Sequence, residues 1–176
     1  MQFAVTGTVV GGVTLDDSTA AILVNSGQTV AVSGTVSGSG GLNLPGPGNL
    51  TLTAIESYTG GTTVGGGTLA LSLAGDISAS GGLSVNGTST FDISGLSGSG
   101  TSVSDLVTAS GSSIVLGSKS LAFGTNNSTT IAGAITGTNG SIVKRGVGIV
   151  SLTGTNTFTG GTTVNVGTLA VSLGAL

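Results

Sequence analysis

The chain has 176 residues, of which 38% are hydrophobic, 5% are charged and 35 are glycine, with a net charge of −3. So few ionisable groups form no basic stripe for a phosphate backbone and no polybasic anchor for anionic lipid, which excludes nucleic acid as a partner. With no Cys and no His, neither a disulfide framework nor a thiolate metal site, Ser-His-Asp triad or Cys-His pair can be assembled.

From the amino terminus, Met1-Gln2-Phe3-Ala4-Val5 lacks the basic and long apolar segments of a signal peptide, so export information is expected outside this stretch. Asp16 and Asp17 follow; on a strand they would point to opposite faces, and in a turn they read as a solvated cap. The longest apolar run, Ala20 to Val24, is far short of the ~18 residues that cross a bilayer, so no membrane insertion by this segment is expected. Short alternating runs come next: Leu50/Leu52, Leu69/Leu71/Leu73, Leu83/Val85, Phe91/Ile93, Leu121/Phe123, Val150/Leu152 and Leu169/Val171. Alternation at period two puts these side chains on one face of a strand and Thr or Ser on the other. Gly-rich turns separate the runs, among them Gly60-Gly61, Gly65-Gly66-Gly67, Asn86-Gly87 and Gly98-Ser99-Gly100. No Lys follows them in the required place and no helix begins there, so they are coil turns rather than phosphate loops.

Self-comparison is more informative than any single motif. Gly48-Asn49-Leu50-Thr51-Leu52-Thr53 and Tyr58-Thr59-Gly60-Gly61-Thr62-Thr63-Val64 … Gly67-Thr68-Leu69-Ala70-Leu71-Ser72-Leu73 return 100 residues later. There they stand as Gly148-Ile149-Val150-Ser151-Leu152-Thr153 and Phe158-Thr159-Gly160-Gly161-Thr162-Thr163-Val164 … Gly167-Thr168-Leu169-Ala170-Val171-Ser172-Leu173. An antiparallel sandwich has the same turn spacing, but long-range duplication belongs to a solenoid in which like strands stack on successive coils. Leu52 to Leu71 and Leu71 to Phe91 each measure one coil, which predicts that these three residues stack. Scarcity of charge fits the stacking, since repeated charges ~4.8 Å apart would form repulsive ladders while Thr, Ser and Asn would not.

The two copies carry a resemblance. Leu152-Thr153-Gly154-Thr155-Asn156-Thr157-Phe158-Thr159-Gly160-Gly161-Thr162-Thr163-Val164 resembles the autotransporter-associated β-strand, or passenger-associated transport, repeat of Gram-negative autotransporter passenger domains, and Lys144 sits where that family often has Lys. The first copy departs from the pattern, with Ala54-Ile55-Glu56-Ser57 in place of Gly154-Thr155-Asn156-Thr157 and Leu44-Pro45 in place of Lys144-Arg145. The resemblance implies a right-handed parallel β-helix exported to the surface of a Gram-negative bacterium, and it implies no common ligand. An outer-membrane barrel with aromatic girdles cannot be built from one Tyr, four Phe and no Trp, so the likeness is to a passenger segment or a free-standing relative.

Candidate chemistry is sparse. Glycoside hydrolysis needs two opposed carboxylates, and the six acids are Asp16, Asp17, Glu56, Asp76, Asp92 and Asp105. Asp92, between Phe91 and Ile93, is expected to face outward as a solvated strand residue. No Gly-Gly-x-Gly-x-Asp run marks a calcium site, and Lys144-Arg145 reads as an exposed, solvated turn. The sequence therefore predicts an all-β, right-handed parallel β-helix: one array over residues 1–176, with duplicated units at about 36–73 and 136–173. Its expected role is a non-enzymatic extracellular stalk or adhesin segment, with no catalytic residue, metal or cofactor. A head-to-tail homopolymeric filament, favoured by strand pattern running to both ends, is the main alternative. A polysaccharide-cleaving β-helix enzyme is a further one. Partners are expected to be other copies of the chain end to end, or the surface of a host or neighbouring cell.

Overall fold

The computed structural model describes residues 2–3 and 6–172, with side chains from residue 6. Among the described residues every regular element is a strand, and every pairing between strands is parallel. Parallel strands cannot be joined by a tight hairpin, so a crossover must carry the chain back. In this chain the crossover is the rest of the coil.

Three faces result. Sheet one stacks Gly7–Val9, Thr29–Val32, Asn49–Leu52, Thr68–Leu73, Thr90–Leu96, Ser113–Val115 and Ala134–Thr136. Sheet two stacks Leu42–Leu44, Thr62–Val64, Leu83–Val85, Leu106–Thr108, Thr129–Ile131, Ile149–Leu152 and Thr168–Val171. The third face is broken. It begins as the pair Val13–Thr14 and Val36–Ser37 and resumes as Gly100–Ser102, Ser120–Phe123, Ser141–Lys144 and Thr162–Val164. Between these two parts its pairing is reduced to the isolated bridge Ile55–Asp76. The chain passes sheet one, third face and sheet two in that order, and register partners lie from 19 residues apart, as Leu50 and Leu69, to 23 apart, as Phe91 and Ile114.

Alternation along each strand sends one set of side chains inward. Val30, Leu50, Leu69, Phe91, Ile114 and Ile135 lie one above another inside sheet one, all at 0% exposure. Each such burial contributes about 1.5–3 kcal/mol of transfer free energy, and stacking like on like extends it down the axis. Leu71 stands over Leu52, as the spacing predicts. Phe91 does not stand over Leu71. It pairs with Leu69, because the register shifts between Ala70 and Ser72 where a bulge admits extra residues.

The duplication is not placed on equivalent faces. In copy one, Leu42–Leu44, Asn49–Leu52, Thr62–Val64 and Thr68–Leu73 fall on sheets two, one, two and one. Copy two, as Ser141–Lys144, Ile149–Leu152, Thr162–Val164 and Thr168–Val171, falls on the third face, sheet two, the third face and sheet two. From Asn49–Leu52 the chain climbs four strands of sheet one to Ala134–Thr136 and then crosses two more faces before reaching Ile149–Leu152. Since 100 residues do not make a whole number of coils, the second copy is turned by one face about the axis. What recurs is a two-strand cassette and its turns, and the cassette is indifferent to which sheet receives it.

Its second turn explains one glycine of each pair. A Cβ on Gly60 would lie 2.5 Å from the Gly40 carbonyl, and one on Gly160 would lie 2.3 Å from that of Gly140, so a coil one layer below occupies the space. Gly61 and Gly161 meet nothing within 4 Å.

Candidate functional surface

The acids are scattered rather than opposed. Asp16 and Asp17 are exposed in the turn after Val13–Thr14. Asp17 Oδ1 accepts the Thr19 N–H at 2.7 Å and the Thr19 hydroxyl at 2.5 Å. These two bonds, side chain first, hold its carboxyl below the ordinary range. Asp92 projects from the outer side of its strand and accepts the Ser94 N–H at 2.8 Å. Asp76 accepts the Ser78 N–H and hydroxyl at 2.9 and 3.0 Å and the Thr101 hydroxyl at 2.7 Å. Asp105 takes the Thr125 hydroxyl at 2.6 Å and the Asn127 amide at 2.7 Å. Each of these aspartates ties a turn to itself or to the coil above, a local use of the side chain that competes with any ligand. Among the described residues, no three His, Cys, Asp or Glu side chains gather as a metal ion requires.

Two shallow depressions meet at Asp76. A polar one of about 340 Å³ follows the third face past Thr101, Ser120 and Ala122 to Val143 and Arg145. The other, of about 210 Å³, has Ile55, Leu73 and Ala74 on its rim and Leu96 beneath. Ile55 and Leu73 are 66% and 62% exposed, and Leu73 has φ 55°, the left-handed region that costs a non-glycine residue about 1–2 kcal/mol. This corner is the most apolar step on a surface otherwise dressed in Ser, Thr and Gly, and it sits where the third face is interrupted.

The charges that matter to the fold are inside it. Lys144, expected in an exposed turn, is buried at 0% exposure, while its neighbour Arg145 is exposed. Its stem lies in register between Phe123 and Val164. The three ammonium donors are spent on the carbonyls of Arg145 at 2.5 Å, Gly146 at 2.7 Å and Val166 at 3.3 Å. A lysine ordinarily reads as solvated because burying an unpartnered ammonium is costly. Three convergent carbonyls remove that objection, and they belong to turns whose geometry no spacing rule gives.

Glu56 and Asn156 hold the same position of the repeat and are both buried. Asn156 Oδ1 accepts the Ile135 N–H at 2.8 Å, and its Nδ2 donates to the Gly154 carbonyl at 3.1 Å. Glu56 Oε2 accepts the Val36 N–H in the same manner. Its Oε1 is buried with no hydrogen-bond partner. Burial pushes the Glu56 carboxyl up to about 7, against the lowering effect of the Val36 N–H. Tyr58 beside it is fully buried with its hydroxyl 2.6 Å from the Thr62 hydroxyl, and burial holds that phenol well above its ordinary range. Composition offered no sign of these groups. Laying copy one over copy two did: Glu56 is the one acid that replaces a repeat amide.

With the coils in place, comparison with known proteins decides what the cassette resembles. The passenger-associated-transport-repeat family matches residues 46–71 and 142–171, the same two cassettes that sit one face apart. Over 166 residues the chain is 36% identical to the adhesin BmaC autotransporter of Brucella suis biovar 1 (strain 1330), an alignment that covers 90% of this chain. The chain resembles an autotransporter passenger. It spans 5% of the length of that curated relative. No solved structure matches it. Within the passenger repeat, the buried amide of Asn156 and the buried ammonium of Lys144 both serve to satisfy backbone of an adjoining turn or coil, which is a structural use of a motif rather than a catalytic one.

Proposed function

We propose that this chain is a non-enzymatic extracellular stalk or adhesin segment, carried as part of an autotransporter passenger on the surface of a Gram-negative bacterium. The observation that carries the reading is the likeness to an adhesin autotransporter over 90% of the chain, joined to a solenoid whose acids are individually engaged in turns. A stacked parallel solenoid lengthens by adding coils without changing its cross-section, which suits a device that holds a surface away from a cell. Antibody raised to the purified chain should label intact, unpermeabilised cells, and protease added outside should remove the label. Label restricted to broken cells would refute the reading. Incubation with pectins and glucans should give no turnover; activity that vanishes when Asp16, Asp17 and Asp92 are replaced would assign the chain to the enzymes instead. Contact with a host or neighbouring cell is the partner class proposed, tested by binding of chain-coated beads to cultured cells against uncoated beads.

End-to-end contact with further copies is a second reading, favoured by Val164, Val166 and Val171 at 46%, 51% and 43% exposure on the strands Thr162–Val164 and Thr168–Val171. Such a contact is heterologous and does not close, so it would give fibres rather than a discrete oligomer. Electron microscopy of concentrated chain should show filaments one solenoid wide on this reading and dispersed particles otherwise.

A further inference from the structure

The interruption of the third face coincides with a buried carboxyl whose second oxygen has no partner. Between Val36–Ser37 and Gly100–Ser102 the face holds together through the Ile55–Asp76 bridge and a few backbone bonds. Ser57 N–H donates to the Val36 carbonyl at 2.8 Å, Glu56 N–H to the Asp76 carbonyl at 2.9 Å, and Asp76 N–H to the Ala54 carbonyl at 3.1 Å. The Glu56 side chain adds one bond, from the Val36 N–H to Oε2, and leaves Oε1 buried and empty-handed. In copy two the same place is filled by an amide, which accepts with one atom and donates with the other. A carboxylate can only accept; a carboxylic acid can do what the amide does.

We infer that the arc 53–58 is a pH-sensitive latch, in which protonated Glu56 reproduces the accept-and-donate bonding of Asn156 and closes the arc onto Val36, while ionised Glu56 releases it. The donor the acid gains has an acceptor at the equivalent position, since the Ala54 carbonyl stands where the Gly154 carbonyl does one copy later. No cation opposes the change. The preceding coil carries no ionisable side chain from Val32 to Gly41, and the following coil carries only Asp76 between Ala70 and Gly82. Asp76 is itself engaged by Ser78 and Thr101. On its own arc the one titratable neighbour is Tyr58, neutral and held by Thr62. Burial, the largest influence on Glu56, favours its neutral form and places the transition at about 7. Ionisation therefore strips the support from an arc with little sheet on either side. The apolar rim of Ile55 and Leu73 beside the bridge is the surface whose order changes with it.

The sign follows from linkage. An acid whose folded value is raised binds its proton more tightly in the folded chain, so the stability it contributes is complete below its unfolded value of about 4.5 and is lost as pH rises through about 7. Hydrogen exchange of the whole chain, corrected for intrinsic rates, reads this locally. Protection of amides 53–58, taken relative to Ser113–Val115 in the same molecule, should fall about tenfold or more between pH 5.5 and 8.5, a change of 1.4 kcal/mol or more. Glu56→Gln, and Glu56→Asn as the copy-two residue, should hold that ratio constant with pH. Should neither variant fold, the infrared band of the protonated Glu56 carboxyl in the native chain replaces them, with an expected midpoint near 7. A ratio flat with pH in the native chain, the same slope in the Gln or Asn variant, or a carboxyl midpoint near 4.5 would each overturn the latch.

Discussion

Copy one closes its arc with Glu56 and Tyr58 and fills the neighbouring strand with Leu44; copy two uses Asn156, Phe158 and Lys144 at the same three positions. Both place a side-chain oxygen on a backbone N–H about one coil earlier, Val36 in the first and Ile135 in the second. They differ in how each site satisfies what remains. Copy one leaves Glu56 Oε1 alone and ties Tyr58 to Thr62, whereas copy two completes the amide and supplies an ammonium to three carbonyls. The bond to the previous coil is thus what the cassette requires, and the remainder is free to vary. Because that bond refers only to the neighbouring layer, the cassette works on sheets one and two as well as on sheet two and the third face.

The largest effect should come from the one contact both copies share. Gly60→Ala drives a Cβ into the Gly40 carbonyl and should cost more than about 3 kcal/mol or prevent folding, while Gly61→Ala should stay within about 0.5 kcal/mol. Urea unfolding of the two variants side by side checks the pair, and equal costs would show that coil contact does not govern this turn.

Lys144 comes next. Lys144→Ala removes a fully buried stem and the donor of three carbonyls, with an expected loss of about 3 kcal/mol. Lys144→Leu, which copies Leu44, should lose about 1–2 kcal/mol because it restores the volume and omits only the bonds. A leucine variant as damaged as the alanine one would mean that the ammonium, and not the stem, holds copy two together.

Tyr58→Phe, which gives copy one the aromatic of copy two, is smaller again. It strands the Thr62 hydroxyl, whose residue is 2% exposed, and should cost about 1–2 kcal/mol. Adding Thr62→Val should recover part of that loss, since an apolar pair has nothing left unsatisfied; no recovery in the double variant would place the cost elsewhere.

Much of this architecture was legible in the chain. Period-two runs such as Leu50/Leu52 and Leu83/Val85 are inward as expected, and the stack of Leu71 on Leu52 follows from their spacing. The rule of one coil per 19 or 20 residues failed at Phe91, because the bulge after Ala70 is a backbone choice that side-chain pattern does not record. Lys144 was misplaced for a related reason: its partners are carbonyls of turns, and only the repeat resemblance marked the position. The face change between copies was available from arithmetic alone, since four coils of the observed length fall short of 100 residues and five exceed it, but it needed a coil length that only stacking supplies.

That face change is the account's central claim, and spin-label distances test it in a chain without native Cys. Thr63 and Ser151 both point outward on sheet two, four strands apart through Ser84, Val107 and Thr130. At ~4.8 Å per strand their backbones should be about 19 Å apart. Thr51 and Ser151, equivalent in the repeat, lie on different faces and should give the longer distance. A Thr51–Ser151 distance shorter than that of Thr63–Ser151 would put the two copies on one face and contradict the account.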